Sequence, residues 1–580
     1  MSTFTILLRY LRPHRALILL LACVLLGTTA LQIVSPFLAA RFIDRATAAT
    51  PLRGLIAIAV ATIVLALLAQ ILTIVETWAA ERVSWAATNA LRLDLAAHIL
   101  RLDYTFHSQH AQGELIERVD GDVGALARFF SRFVLNVVGS VILLLGILGA
   151  IWVIDWRIGL GMTVVIGVAL VAMLRIRTIA TPLWMQERQT NADVYGFLGE
   201  YLAGLEDIRA SGPRADRFVI RRFREMLRGW LRISIRANMW GYALLATSTG
   251  VFTIGVAFAL GMGGWLYREG ALTLGTVFFV FRLADMLRAP TEGLRDEIQD
   301  FQQADASLGR IRALLAEQPT IVDGIGTSLP NGPLAIAFDD VTFGYDPTAP
   351  ILRNVTLEVA PGRVLGIVGR TGSGKSTLTR MIPRFVDPDV GTVRIGGVDL
   401  RELRLHELRD RIGVVPQDVQ LFDATLRDNL TLFADPGTIP DDRLHDLLDT
   451  LGLAAWRRSL PDDLDTRLGA GGVGLSAGQT QVLSCARILL RDPDIVLLDE
   501  ASARLDAATE RLVHDALTRL LAGRTGIIVA HRLETLTFAD DIAVLVDGEL
   551  VEHGPRTDLI GDPTSRFATL LRTQTEEALR

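Results

Sequence analysis

The sequence predicts a multi-domain membrane protein. An N-terminal all-α domain of six membrane-crossing helices precedes a C-terminal α/β domain carrying a phosphate-binding loop. Three observations predict it. Apolar runs alternate with arginine-rich runs through the N-terminal half, while short β-rich runs alternate with helical runs from Leu334 onward. Between two of those runs stands a glycine-rich loop holding the one lysine among 58 Lys and Arg residues, Lys375. The totals agree: 580 residues are enough for several domains, and 50% hydrophobic with 21% charged residues suits an apolar part joined to a water-soluble one. A net charge of -6 gives no basic surface for nucleic acid. The two cysteines, Cys23 and Cys485, lie far apart, which argues against a disulfide framework or a cysteine metal site.

The first apolar run, Arg15 to Asp44, is long enough for the ~30 Å hydrocarbon layer. It has no small-residue cleavage site behind a short apolar stretch, so it reads as a span and not a signal peptide. Further spans are predicted near Gly54–Trp78, Phe133–Ile154, Ile158–Ile176, Tyr242–Leu266 and Leu274–Leu287. Arginines flank the first span and fill the stretches Arg82–Arg128 and Arg175–Arg236, whereas the other connections are short and arginine-poor. Positive-inside bias places both termini and the two long loops in the cytoplasm. The long loops are helix-forming and amphipathic, so the membrane helices are expected to continue well beyond the bilayer.

The membrane part is expected over 1–318, a linker over 319–333, where "VDGIGTSLPNGP" is rich in turn formers, and the α/β domain over 334–580. "VLGIVG" and "DIVLLDE" read as buried central strands of a mostly parallel sheet, with chemistry at their C-terminal ends.

Gly369-x-x-x-x-Gly374-Lys375-Ser376 is a Walker A pattern in its confirming context, between a strand and a helix start. Glycines let backbone N–H groups close around phosphate oxygens, and the helix start adds its dipole. Ser376 offers a hydroxyl to Mg²⁺. Lys375 must thread a narrow loop with a compact charge, which a planar guanidinium cannot do. That accounts for the lone lysine. In "DIVLLDE", Asp499 is expected in the Mg²⁺ shell and Glu500 as general base. Gln417 in "VVPQD" is an uncharged side chain able to reach metal and water. His531 follows another apolar strand, and Tyr345 in "FGYDP" offers a ring to adenine. "GLSAGQTQ" reads as a second phosphate-binding helix start, sensible if it closes over ATP held by another subunit.

In the order of these motifs the chain resembles the ATP-binding cassette (ABC) transporter superfamily, closest to a bacterial half-transporter of the exporter type. The resemblance implies a dimer with two ATP molecules, each between one subunit's Walker A and the other's signature. It assigns Tyr345 to adenine and Gly369, Arg370, Thr371, Gly372, Ser373, Gly374, Lys375, Ser376 and Thr377 to the phosphates. Ser376, Gln417 and Asp499 go to Mg²⁺, and Ser476, Ala477, Gly478 and Gln479 to the partner's ATP. Asp506 falls in the D-loop, Glu500 is the catalytic base, and His531 and Lys375 serve the γ-phosphate. Coupling helices at the loop tips are implied near Tyr104–Asp122 and Ser211–Phe218.

The chain departs from the family pattern in three places: Ala477 stands for a glycine, the D-loop reads "ARLD" (Ala503 to Asp506) where "SALD" is usual, and Ala470 replaces a glutamate before the signature. Heterodimeric exporters pair one half of this kind, which keeps the glutamate base, with a half of the reverse kind. A heterodimer is therefore expected, with a homodimer as the alternative. The sixth span carries Arg282, Asp285, Arg288 and Glu292 on one helical face, with Glu76 near the end of the second. They either line a cavity for a small amphipathic or polar compound, or they pair within the helix, Arg282 with Asp285, or serve packing between helices. Export across a bacterial cell membrane is the expected function; import on the same scaffold and a regulatory ATPase are the alternatives.

Overall fold

The computed structural model describes residues 9–48, 51–296, 298–346, 348–435, 437–469, 474–499, 507–530 and 533–578. The chain forms two compact units, Met1–Leu100 with Gln112–Glu317, and Arg101–Ala111 with Gln318–Arg580.

Among the described residues of the first unit, five helices are long and apolar enough to cross a membrane: Arg9–Thr47, Leu52–Arg101, Gln112–Ile154, Trp156–Ala203 and Arg214–Arg268. Leu52–Arg101 has 50 residues. At 1.5 Å per residue it runs about 75 Å, more than twice the hydrocarbon thickness. Its two halves differ accordingly. Ile63, Leu67, Ile71 and Ile74 in the apolar half are exposed, as a lipid-facing surface is. Val83, Ala87, Leu91 and Leu95 in the amphipathic half form a buried stripe at the four-residue spacing of one helix face.

The sixth apolar run forms a 13-residue helix, Leu274–Met286. Its start is clasped by Asp44, which accepts from Thr273 Oγ1 and Gly275 N, both at 2.7 Å. Phe279, Val280, Leu283 and Ala284 are buried in one cluster with Ile147, Ile151, Ile158 and Met162. The polar groups at this depth are paired. Arg282 reaches Asp285 at 2.8 Å and Arg288 reaches Glu292 at 3.0 Å. Ser248 donates to Glu292 at 2.7 Å, and Thr28 to Glu76 at 2.9 Å. Pairing within a helix, as in Arg282–Asp285 and Arg288–Glu292, and bonding between helices, as in Ser248–Glu292 and Thr28–Glu76, are both present.

Two π-helical turns, Glu117–Asp122 and Phe133–Val138, interrupt the third long helix. Asp122 in the first is buried and accepts from Arg310 Nε at 2.9 Å. The second loop tip differs from expectation. The short helix lies at Leu205–Ala210, whereas Pro213 to Phe218 opens the long helix Pro213–Arg268. Gly212, at φ +80, makes the break. Proline at the first turn then starts the new helix with its φ already set.

The second unit holds two sheets. β1 (Ile336–Phe343), β2 (Leu352–Val359), β4 (Val390–Ile395) and β5 (Val398–Asp399) form an antiparallel sheet in the order β2-β1-β4-β5. β3 (Val364–Val368), β6 (Ile412–Val415), β9 (Ile495–Asp499), β10 (Thr525–Val529), β11 (Asp541–Val546) and β12 (Glu549–Pro555) form the other, in the order β12-β11-β3-β10-β9-β6. A two-residue ladder joins β7 (Ala424–Thr425) to β8 (Arg467–Leu468). The six-stranded sheet is parallel from β11 to β6 and gains an antiparallel edge at β12. Every residue of β3 and β10 is buried, as expected for strands covered on both faces. Cys485 is buried too, and burial pushes its thiol up to about 12; both cysteines are free.

The stretch after Ala316 has no regular structure before β1, yet it is strapped down. Gly324 N donates to Leu403 O at 3.1 Å, Gly326 N to Glu402 O at 3.0 Å, and Leu405 N to Asp323 at 2.7 Å.

Candidate nucleotide site

Parallel strands deliver their C-terminal ends to one edge of the sheet. β3 ends into Gly369, β6 into Pro416 and Gln417, and β9 on Asp499. The register aligns these ends: Val529 pairs with both Ile367 and Asp499, and Val415 pairs with Leu498. Gln417 is exposed and Asp499 partly buried. Glu500, Ala503, Arg504, Asp506, His531 and Ala470 lie outside the described residues.

The loop after β3 is tight enough to require its glycines. A Cβ on Gly369 would meet Leu545 O at 2.3 Å and Ser373 Oγ at 2.6 Å. Gly374 sits at φ +97, and a Cβ there would meet Leu352 Cδ2 at 2.6 Å. Lys375 is 4% exposed. Its Nζ donates to Gly369 O at 2.8 Å and Arg370 O at 3.0 Å, so loop carbonyls solvate the buried ammonium. Ser373 Oγ is buried and makes no hydrogen bond. An orphaned hydroxyl beside a buried ammonium inside a glycine loop fits a ligand that brings acceptor oxygens, as a phosphate does. Arg370, Thr371 and Gly372 are exposed, Ser376 is half-buried and Thr377 is buried.

Tyr345 packs edge-on to Phe343, with ring centroids 5.1 Å apart, and accepts from Arg380 Nη1 at 3.2 Å. The signature turn opens the helix Ala477–Arg491. Ser476 is its N-cap in a complete capping box: Gln479 N donates to Ser476 Oγ at 3.2 Å, and Ser476 N to Gln479 Oε1 at 2.9 Å. Gly478 is buried, whereas Ser476 and Ala477 are exposed. Among the described residues no cluster of three His, Cys, Asp or Glu could hold a metal by itself.

Two family models match the chain, "ABC transporter" over residues 352–503 and "ABC transporter transmembrane region" over residues 17–290. The ATP-dependent lipid A-core flippase of Desulfotalea psychrophila is 32% identical over 483 residues, covering 83% of each chain. The chain belongs to the ABC transporter family. The mycobactin import ATP-binding/permease protein IrtA of Mycolicibacterium smegmatis is 32% identical over 502 residues, which cover 84% of this chain and 56% of that protein. A bacterial Atm1-family ABC exporter solved with ATP bound superposes with TM-score 0.76 at 26% identity, covering 97% of this chain and 98% of the other.

The protein is thus an ABC half-transporter with an exporter-type helical domain. It is a multi-pass membrane protein that binds and hydrolyses ATP to drive transport and works as a dimer. Near the sheet edge, a cavity of about 400 Å³ is lined by Phe385, Arg409, Val414, Gln420, Ser484 and Arg487, among others. Two of its arginines, Arg409 and Arg487, are met by neutral acceptors, whereas Arg491 pairs with Asp410 at 3.2 Å. Arg409 donates to Pro383 O and Arg384 O at 3.1 and 3.2 Å, and Arg487 to Asn429 O and Gln420 O at 2.6 and 3.0 Å. Burial holds both guanidinium groups below their usual range. Sequence reasoning singled out neither these arginines nor Arg380. In a chain whose basic residues are nearly all arginine, nothing local marks them.

Proposed function

We propose that this chain is one half of an ATP-driven exporter in a bacterial cell membrane, with its ATPase domain in the cytoplasm and a small amphipathic or polar compound as cargo. The proposed division runs 1–318 for the membrane domain, 319–333 for the linker and 334–580 for the ATPase. One observation carries the reading: the phosphate loop, Gln417 and Asp499 share one sheet edge, while the signature turn is exposed and already capped. Such a turn suits ATP brought by a partner chain.

In this reading Gly369 to Thr377 cradle the phosphates, Lys375 neutralises them, and Tyr345 stacks on adenine. Glu500 takes the proton from the attacking water, and His531 steadies the γ-phosphate. Ser376, Gln417 and Asp499 are hard-oxygen donors of the kind Mg²⁺ takes; the ion, when bound, offsets charge on the phosphates. Ser476, Ala477, Gly478, Gln479 and Asp506 meet the partner's side. ATP favours the closed dimer because its phosphates bridge two chains, and hydrolysis removes the bridge.

Ala477, Arg504 and Ala470 beside an intact Glu500 support a heterodimer with one altered ATP site. The chain should be purified after expression alone and with its companion half, and ATPase measured in lipid. A stable dimer with full ATPase from the chain alone would defeat the heterodimer and leave the homodimer. Import is the second reading, supported by the likeness to the mycobactin importer. Inside-out vesicles decide the direction: an exporter accumulates cargo in them on addition of ATP, and an importer depletes it.

A further inference from the structure

Arg380 lies five residues beyond Lys375, on the helix Lys375–Met381 that follows the phosphate loop. Its Nη1 donates to Tyr345 Oη at 3.2 Å. The same guanidinium stands over the ring of Tyr104, 4.9 Å from its centroid. Tyr104 in turn stacks on Phe385 at 5.9 Å with an 18° interplanar angle, and Arg409 covers Phe385 at 5.4 Å. The order is cation, ring, ring, cation. A guanidinium suits the outer position because it donates in its plane and attracts a ring through its face. An ammonium is a point charge and does not divide its work in this way.

Tyr104 opens the short helix Tyr104–Gln109, which belongs to the same compact unit as the nucleotide motifs. Thr320 Oγ1 fixes the preceding residue by donating to Asp103 at 2.7 Å. The chain leaves this segment in both directions into helices long and apolar enough to cross a membrane. One side chain therefore touches the tyrosine assigned to adenine and the tip between two such helices.

We propose that Arg380 is a positioning residue that reports base occupancy at Tyr345 to the segment 104–109. The inference rests on the reading of Tyr345 as the adenine-stacking residue. A base laid on the Tyr345 ring fixes the direction of its hydroxyl. Arg380 follows its acceptor, and the Tyr104 ring follows the cation that covers it. Phosphates alone, held by Gly369 to Thr377, leave this path unengaged.

The test is hydrogen–deuterium exchange on the full-length, assembled transporter in lipid nanodiscs. The probes are AMP-PNP with Mg²⁺ and inorganic tripolyphosphate with Mg²⁺. In the unaltered protein, AMP-PNP is expected to slow exchange at 369–377 and, by about threefold or more, at 104–109. Tripolyphosphate is expected to slow exchange at 369–377 alone. In Arg380→Met, AMP-PNP should still protect 369–377, which shows that the unit is folded and loaded, while the response at 104–109 is lost. A Tyr104→Leu variant, which removes the π face, should lose the same response, and the double variant should lose no more than either single one. An unchanged 104–109 response in Arg380→Met, or an equal response to tripolyphosphate, overturns the proposal. If AMP-PNP fails to protect 369–377 in the unaltered protein, the nucleotide reading itself falls and the inference falls with it.

Discussion

Lys375 is 4% exposed and its ammonium is held by carbonyls of its own loop, whereas Ser476 and Ala477 are exposed, with Ser476 secured by Gln479 and Thr480 of its own helix. Both stretches are helix starts, yet one is closed in on itself and the other is open. The phosphate loop spends its backbone on the ligand and needs glycine where side chains would collide with Leu545 or Leu352. The signature turn spends its polar side chains on its own helix and leaves an outer face for something else. A closed site gains its affinity within one chain and tolerates little. An open site is completed from outside and tolerates more, in keeping with Ala470 and Ala477 departing from the family pattern at or just before the signature while the phosphate loop departs nowhere.

The two largest expected effects fall on the phosphate loop and the catalytic base. Lys375→Arg should lower ATPase activity by about a hundredfold or more, the scale of removing one preorganised charge donor from a transition state. The wide guanidinium cannot keep both carbonyl contacts inside the loop. Steady-state ATPase in lipid measures this, and a variant within about threefold of the unaltered protein would mean that the loop is not closed around that charge. Glu500→Gln should slow turnover by a further-ranging but variable factor, about 10²–10⁴ for a lost general base, while nucleotide affinity is kept. Turnover together with retention of radiolabelled ATP separates chemistry from binding.

How much of this comparison was readable in advance depends on the range of the interaction. "VLGIVG" and "DIVLLDE" were legible as buried strands because an apolar run with chemistry at its end is a local signal, and they are β3 and β9. The helix start in "GLSAGQTQ" is legible for the same local reason, and it is the helix Ala477–Arg491 with Ser476 as its cap. Contacts between distant segments leave no such trace. Nothing near Tyr104 announces Arg380 or Phe385, and nothing in "VDGIGTSLPNGP" announces the strap onto Glu402 and Leu403. The family resemblance implies the second loop tip near Ser211–Phe218. The helix break at Gly212 moves it to Leu205–Ala210.

On the open side the effects shrink. Ser476→Ala removes an N-cap and one arm of the capping box, which should cost about 1 kcal/mol of stability. Thermal unfolding of the nucleotide-binding unit and ATPase of the assembled dimer should both fall, the second by more than lost stability predicts if a partner's ATP meets Ser476. Equal proportional losses would reduce the turn to a structural cap.

Ala477→Gly gives the smallest effect and the sharpest comparison. The methyl is exposed, so its removal gives up little buried area. Its place is the first residue of a helix, where alanine is already well suited and glycine costs at most about 1 kcal/mol. Stability should therefore drop slightly. If the methyl holds a partner's phosphate away from the turn, turnover of the assembled dimer should nonetheless rise, by about two- to threefold, the size of a contact worth roughly half a kcal/mol. A gain in activity against a loss in stability is what an open, externally completed site produces and a closed one does not. A fall in both would place Ala477 with the helix and remove the argument for two unequal ATP sites.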